Sequence, residues 1–216
     1  MVRIKICGIT NLADGHAAIA AGADLLGFNF YRPSPRFVEP QDARKMIDAL
    51  RPDIKKVSRT VTMVGVFVNE PAESVVRIAE ETRIAAIQMH GDESVEFCRK
   101  LKTLLPDRFL VKVIRASGAA VTERAAEYDV DAIMLDAFDA ALRGGTGRTV
   151  DWTLARHTGE AVPRLFLAGG LSPENVREAI DAVQRYAVDA CSALESSPGH
   201  KDAERVNAFV CAVRNG

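Results

Sequence analysis

The chain has few of the features that mark whole classes of protein. Its 216 residues include four cysteines, Cys7, Cys98, Cys191 and Cys211, too scattered to form a C-x-x-C pair. That usage argues against a disulfide framework or a structural metal and points to a reducing, cytoplasmic setting. The formal net charge is −1, which gives no electrostatic reason to expect nucleic acid or an anionic membrane as partner. No run of about 18 apolar residues exists, so no membrane-spanning helix is expected. No apolar h-region follows the start, so no signal peptide is expected either. Histidine is scarce, and His90 has no second His, Asp or Cys at metal-ligand spacing.

What the chain does have is a hydrophobic content of 48%, ample for one buried core. Strand-like and helix-like patterns alternate from end to end. Strands are expected at 3–7, 24–31, 61–68, 85–89, 109–114, 132–135, 164–168 and 187–192. Helices are expected at 11–21, 40–50, 71–82, 93–104, 119–128, 152–157, from Ser172-Pro173-Glu174 onward, and at 202–213. Arg51–Thr60 reads as a basic insert before the third strand. Segment 137–150 is the longest without structure and holds Gly144, Gly145 and Gly147. A loop of that length is commonly functional, often a lid. Alternating units argue for a parallel sheet, and eight of them for an α/β fold that is a single (β/α)8 TIM barrel over residues 1–216. A doubly wound open sheet is the alternative.

Barrel enzymes keep their chemistry at the carboxyl ends of strands. Those positions are Cys7, Arg36, Asn69, His90, Arg115, Asp136, Gly169, Gly170 and Ser192. In the first strand, Ile4 and Ile6 share one face while Lys5 and Cys7 share the other. Cys7 reads either as a space-filling core thiol or as a base whose pKa Lys5 lowers. A lysine inside a barrel needs a partner, and Asp189, on the strand that closes against the first, is the candidate. Asp136 reads as a turn residue or as an acid facing Cys7 across the mouth. Gly169-Gly170 reads as a plain turn or as a phosphate-binding loop, with Ser192 beside it. Arg36, stiffened by Pro33 and Pro35, suits a carboxylate. His90 taken alone is as readily structural as functional.

In order, Lys5-Ile6-Cys7-Gly8-Ile9-Thr10, Gly27-Phe28-Asn29-Phe30-Tyr31 with Ser34-Pro35-Arg36, Gly65-Val66-Phe67-Val68-Asn69, Gln88-Met89-His90-Gly91, Leu135-Asp136-Ala137, Gly144-Gly145-Thr146-Gly147, Leu167-Ala168-Gly169-Gly170-Leu171 and Pro198-Gly199-His200-Lys201-Asp202 resemble the motif set of the phosphoribosylanthranilate isomerases. The resemblance implies an Amadori rearrangement of a phosphosugar-anthranilate substrate in tryptophan biosynthesis, with no metal and no cofactor. It implies Cys7 as general base and Asp136 as general acid. Arg36 is implied as the clamp for the anthranilate carboxylate. His90, Gly169, Gly170, Ser192 and Ala193 complete the substrate-binding set. A monomer or homodimer is expected. The eighth-strand end departs from the family pattern: Cys191 stands for a serine, and Ala193 for a glycine, which would place a methyl near the phosphate. Another phosphosugar barrel enzyme and a barrel that only binds an anionic ligand are the competing readings.

Overall fold

The computed structural model describes residues 1–116, 120–136, 152–183 and 186–215. Eight parallel strands close into a barrel in chain order: β1 (Arg3–Cys7), β2 (Leu25–Asn29), β3 (Thr62–Phe67), β4 (Ala86–Met89), β5 (Phe109–Arg115), β6 (Ala132–Asp136), β7 (Leu165–Ala168) and β8 (Ala187–Ala190). Helices alternate with them: α1 (Leu12–Ala21), α2 (Pro40–Lys56), α3 (Ala72–Thr82), α4 (Val95–Leu104), α5 (Val121–Ala126), α6 (Trp152–Ala161), α7 (Val176–Val183) and α8 (Ala203–Arg214). After β8, a short 3₁₀ turn (Ser192–Leu194) leads into an antiparallel hairpin, β9 (Glu195–Ser197) and β10 (His200–Lys201). The expected loop at 137–150 lies outside the described residues. Among the described residues no helix is long and apolar enough to cross a membrane.

Strand alternation builds two apolar layers. Ile4 and Ile6, both fully buried, join the layer between sheet and helices with Ile19, Leu26 and Phe28. The barrel interior is a separate cluster that includes Leu25, Val64, Ala86, Val111, Met134 and Phe166. Its amino-terminal end is closed by Tyr186, which packs on Phe109 and Phe166 with ring centroids 6.4 and 5.4 Å away. Arg3 and Arg164 lie over the Tyr186 ring from below. The floor is therefore sealed, and the opposite rim is left for chemistry.

One position inside the barrel breaks the apolar pattern. Lys5, 1% exposed, sits in register with Asp189, and its Nζ donates to Asp189 Oδ1 at 2.7 Å. This is the pairing expected from barrel closure. A second buried pair lies on the outer side of the sheet, where Lys112 Nζ meets Glu93 Oε2 at 2.8 Å. Glu93 was expected to open a helix. It instead lies before α4, which Ser94 caps by accepting from the Phe97 amide. The Glu93 carboxylate receives the amides of Asn69 and Gly91, tying the ends of β3 and β4 to Lys112.

Two other expectations are corrected. The basic insert at 51–60 is in large part helix, because α2 runs through Pro52 to Lys56. Its apolar face continues past the proline, with Ile54 and Val57 packed on the same core as Ile47 and Leu50. Ser172-Pro173-Glu174 leads into α7 as expected of a capping serine followed by proline: the Ser172 hydroxyl accepts from the Glu174 amide, and its carbonyl accepts from Asn175 and Val176, where the regular helix begins. Ser192 begins the 3₁₀ turn and does not end β8, which stops at Ala190.

Breaking a buried ion pair by removing one partner strands the other charge and costs about 3–5 kcal/mol, whereas replacing both by apolar groups is close to neutral. Asp189→Ala is therefore expected to destabilise the barrel by about 3–5 kcal/mol in denaturant titration. Lys5→Met/Asp189→Leu is expected to fall within about 1 kcal/mol of the parent. Equal losses in both variants would show that charge burial is not what the pair resolves.

Candidate active site

The rim at the carboxyl ends of the strands holds two groups of polar side chains. The first is built on β1 and β8. Cys7 ends β1 and is 9% exposed, and Gly8 turns the chain directly after it with φ 77°. A side chain at Gly8 would meet the Arg36 stem at 2.7 Å and the Cys191 sulfur at 3.0 Å. A side chain at Gly27 would meet the Cys7 sulfur at 2.8 Å and Lys5 Nζ at 3.2 Å. These two glycines let the thiol, the guanidinium and both lysine-side contacts crowd together on the inner face.

Cys7 and Cys98 are both buried cysteines, and their environments push them in opposite directions. Hydrogen bonding from Cys191 holds the Cys7 thiol well below its ordinary value, against the cost of burial, and the Lys5 and Lys201 ammonium groups add to the effect. Burial, aided by the Glu93 charge and against that of Lys112, pushes Cys98 up to about 11, where it packs on the Met89 sulfur. The space-filling reading fits Cys98; it does not fit Cys7. Beneath the thiol, burial pushes Asp189 up to about 6 despite its lysine partner. Burial by itself would lower Lys5, but the charges of Asp189 and Cys7 outweigh it and hold the ammonium above its ordinary value.

Arg36 is held by a stapled loop between β2 and α2. Asn29 Oδ1 accepts the Tyr31 amide at 2.8 Å, and Ser34 Oγ accepts both Asn29 Nδ2 and the Arg36 amide at 3.1 Å. The guanidinium makes a two-bond pair with Glu195, Nε to Oε1 at 2.8 Å and Nη2 to Oε2 at 2.6 Å. Glu195 also accepts from Lys201 Nζ at 2.9 Å. Burial opposes ionisation of Glu195, but these two cations prevail and keep its carboxyl below the ordinary range. Lys201, with its side chain fully buried, donates to the Cys191 carbonyl at 3.1 Å as well. The Ser197-Pro198-Gly199-His200 turn brings Lys201 back, with Gly199 at φ 85° as a type II turn requires. Lys201 had appeared in the sequence only as part of a motif, without a role, and Glu195 had not been singled out.

The second group lies across the mouth. Asp136 ends β6, three strands from β1 around the closed side through β7 and β8. His90 follows β4, and its Nε2 lies 3.3 Å from Asp136 Oδ2. Gln88 Nε2 lies 3.0 Å from His90 Nδ1. With Gln88 donating to Nδ1, the neutral ring carries its proton on Nε2 and donates to Asp136. The histidine that stood alone in the sequence thus belongs to a Gln88–His90–Asp136 chain. Asn69, at φ 53°, does not face this chain chemically; its Oδ1 receives the Asp92 amide and supports the loop after His90. Arg115 ends β5 exposed at the rim.

Between the groups, Gly169 and Gly170 follow β7 at φ 90° and 70°, and open space surrounds the position a Gly170 side chain would take. Ser192 and Ala193 begin the 3₁₀ turn after β8, where the first amides of a helical turn have no intrahelical acceptor. Ala193 lies outside the left-handed region, so alanine stands there without backbone strain. Among the described residues no group of three or more His, Cys, Asp or Glu side chains could hold a metal ion.

The family model for N-(5'phosphoribosyl)anthranilate (PRA) isomerase matches residues 4–212. The chain belongs to this isomerase family. Its curated relatives include the N-(5'-phosphoribosyl)anthranilate isomerase of Geobacter metallireducens, 43% identical over 97% of this chain and 98% of that one. That of Thermotoga maritima is 40% identical over 97% of each. The solved phosphoribosyl anthranilate isomerase of Thermotoga maritima superposes with a TM-score of 0.87 at 39% identity, covering all of both chains. A phosphoribosyl anthranilate isomerase in complex with reduced 1-(o-carboxyphenylamino)-1-deoxyribulose 5-phosphate gives 0.84 at 38%, again over both whole chains. The barrel is thus that of an isomerase family, and the enzyme class follows.

The two buried thiols supply a direct check on the electrostatics. Cys7 is expected to alkylate with iodoacetamide at pH values well below 9, while Cys98 stays a thiol until about 11. Replacing the charged pair by Lys5→Met/Asp189→Asn is expected to move the Cys7 alkylation midpoint upward. The sign follows because Lys5 acts on the thiolate both by charge and by hydrogen bond, which outweighs the relief from losing the Asp189 carboxylate. An unchanged midpoint would remove Lys5 from the account.

Proposed function

We propose that residues 1–216 act as one catalytic domain that converts N-(5'-phosphoribosyl)anthranilate to 1-(2-carboxyphenylamino)-1-deoxy-D-ribulose 5-phosphate. The observation that carries this reading is the pair formed by Cys7 and Asp136 at one rim, a low-pKa sulfur on β1 and a carboxyl on β6 held by His90. Aldose-to-ketose isomerisation needs one acid and one base on the same small substrate.

In this reading protonated Asp136 gives its proton to the furanose ring oxygen. The C1–O bond breaks as the anthranilate nitrogen lone pair forms an iminium. The Cys7 thiolate then removes the C2 proton, and the electron pair of that C–H bond moves toward the iminium to leave an enolamine. Loss of the enol proton and protonation at C1 give the ketone, so the step is an isomerisation with no net gain or loss of atoms. His90 fixes the Asp136 carboxyl through its Nε2 and contacts the substrate beside it.

Arg36 receives the anthranilate carboxylate. Its Nε edge is held by Glu195, which leaves the Nη edge to face the ligand; a guanidinium has five donors and can serve both. Gly169, Gly170, Ser192 and Ala193 take the phosphate. Two successive glycines let backbone amides approach the anion closely, and the opening amides of the 3₁₀ turn converge from β8. The enzyme works as a monomer or homodimer in the cytoplasm.

The test is turnover of freshly generated N-(5'-phosphoribosyl)anthranilate, followed by loss of its fluorescence. Cys7→Ala and Asp136→Asn are each expected to lower kcat by about 10²–10⁴-fold, the usual share of a general base or acid. Arg36→Ala is expected to act chiefly on KM. In the parent, the pH dependence of kcat/KM is expected to be bell-shaped, as a paired acid and base require, with the Cys7 ionisation lying well below 9.0; a flat profile between about pH 5 and 9 would count against the pair. Near-parental kcat in either catalytic variant would sink the assignment.

A further inference from the structure

Four cysteines are spread along the sequence, yet the fold brings two of them face to face. Cys7 and Cys191 are the next positions in the β1–β8 register beyond the Ile6–Ala190 pair. Adjacent strands run about 4.8 Å apart. That lies within the span of roughly 4.4–6.8 Å between Cα atoms that a disulfide bridges. The Cys7 side chain leaves β1 on the inner face, beside Lys5, and the Cys191 side chain is within hydrogen-bond reach of it. The Lys5–Asp189 pair, two residues down the same strands, shows that side chains at paired positions meet there, at 2.7 Å. Cys191 has left regular strand geometry, with φ −134° and ψ −87°, so its sulfur is not held parallel to that of Cys7. A side chain added at Gly8 would touch the Cys191 sulfur, which places that sulfur over the turn that follows Cys7.

The surroundings supply the rest of the chemistry. Lys201 Nζ lies 3.8 Å from the Cys191 sulfur, and Glu195 Oε1, 3.9 Å from it, is a second acceptor for the Cys191 S–H once Cys7 is no longer a thiolate. Both thiols are at the mouth through which substrate must pass, and Cys191 is half-buried.

We propose that Cys7 and Cys191 are a peroxide-sensitive dithiol, and that their reversible disulfide switches the enzyme off. The Cys7 thiolate attacks one oxygen of hydrogen peroxide, and hydroxide leaves, giving a sulfenic acid. The Cys191 sulfur then attacks the oxidised Cys7 sulfur. Its proton passes through Glu195 to the departing oxygen, which leaves as water. The two sulfurs together lose two electrons, and peroxide is reduced to two waters once the first hydroxide takes up a proton. A thiolate beside a resolving cysteine is the arrangement in which sulfenic acid is captured before further oxidation. Loss of activity rests on the reading of Cys7 as general base; formation of the bond does not.

The experiment uses the full chain with Cys98→Ala and Cys211→Ser, so that only the pair remains. After millimolar hydrogen peroxide, a non-reducing peptide map is expected to join the peptides of Cys7 and Cys191, with the loss of two hydrogen masses. Turnover is expected to fall at least tenfold and to return with dithiothreitol. In a Cys191→Ser version, scored against its own reduced rate, Cys7 is expected to gain two oxygens on prolonged exposure and not to recover. Absence of the joined peptide, or recovery of Cys191→Ser as complete as that of the parent, overturns the proposal and leaves the base assignment intact. A fully cross-linked enzyme that turns over at its reduced rate overturns the switch and the base assignment together.

Discussion

The rim depends on one buried charge. A lysine inside an apolar barrel is costly unless it is matched, and Lys5 is matched by Asp189 because closure sets β8 against β1. Once in place, the ammonium does two things. It neutralises the carboxylate that would otherwise lie alone under the mouth, and it adds positive charge beneath the Cys7 thiol. The same ammonium thus offsets the cost of a buried carboxylate and favours the thiolate form of Cys7.

A second network extends this field outward. Arg36, Glu195 and Lys201 form a cation–anion–cation chain around Cys191. Burying one carboxylate between two cations keeps it ionised, and the hairpin that carries it is pinned at both ends of the chain. Removal of any one member leaves a surplus charge in a partly dry site, so these residues act as a unit. On the opposite side, Gln88 and His90 orient Asp136 by hydrogen bonds. The two poles are thus built differently: ammonium groups and a thiol donor surround Cys7, and an amide–imidazole chain stands behind Asp136.

The comparison of Cys7 with Cys98 shows what burial does not decide. Both are enclosed, yet one is pushed toward thiolate and the other away from it. The difference lies in the hydrogen-bond donor and the ammonium groups within reach, present at the barrel mouth and outweighed by burial behind α4. The same placement explains why Cys191 matters. A serine there would offer Cys7 a hydroxyl, while a cysteine offers it a second redox-active sulfur.

Local pattern in the sequence determined the eight strand–helix units, the sealed apolar layers and the positions at strand ends, because side-chain periodicity and turn glycines act within a few residues. Cys7, Asp136 and the glycine pair were legible for that reason. The Lys5–Asp189 pair was legible as well, since closure of a barrel makes its first and last strands neighbours. Local pattern was misleading where a longer-range contact outbid it: the stretch from Arg51 reads as a basic insert but the apolar face of α2 carries on through it, and Glu93 reads as helix but Lys112 draws it out. Only the tertiary structure decided that Arg36 meets Glu195, 159 positions away, that His90 reaches Asp136, and that Cys191 faces Cys7. No periodicity encodes these meetings, because they arise from where loops on separate strands converge once the barrel has closed.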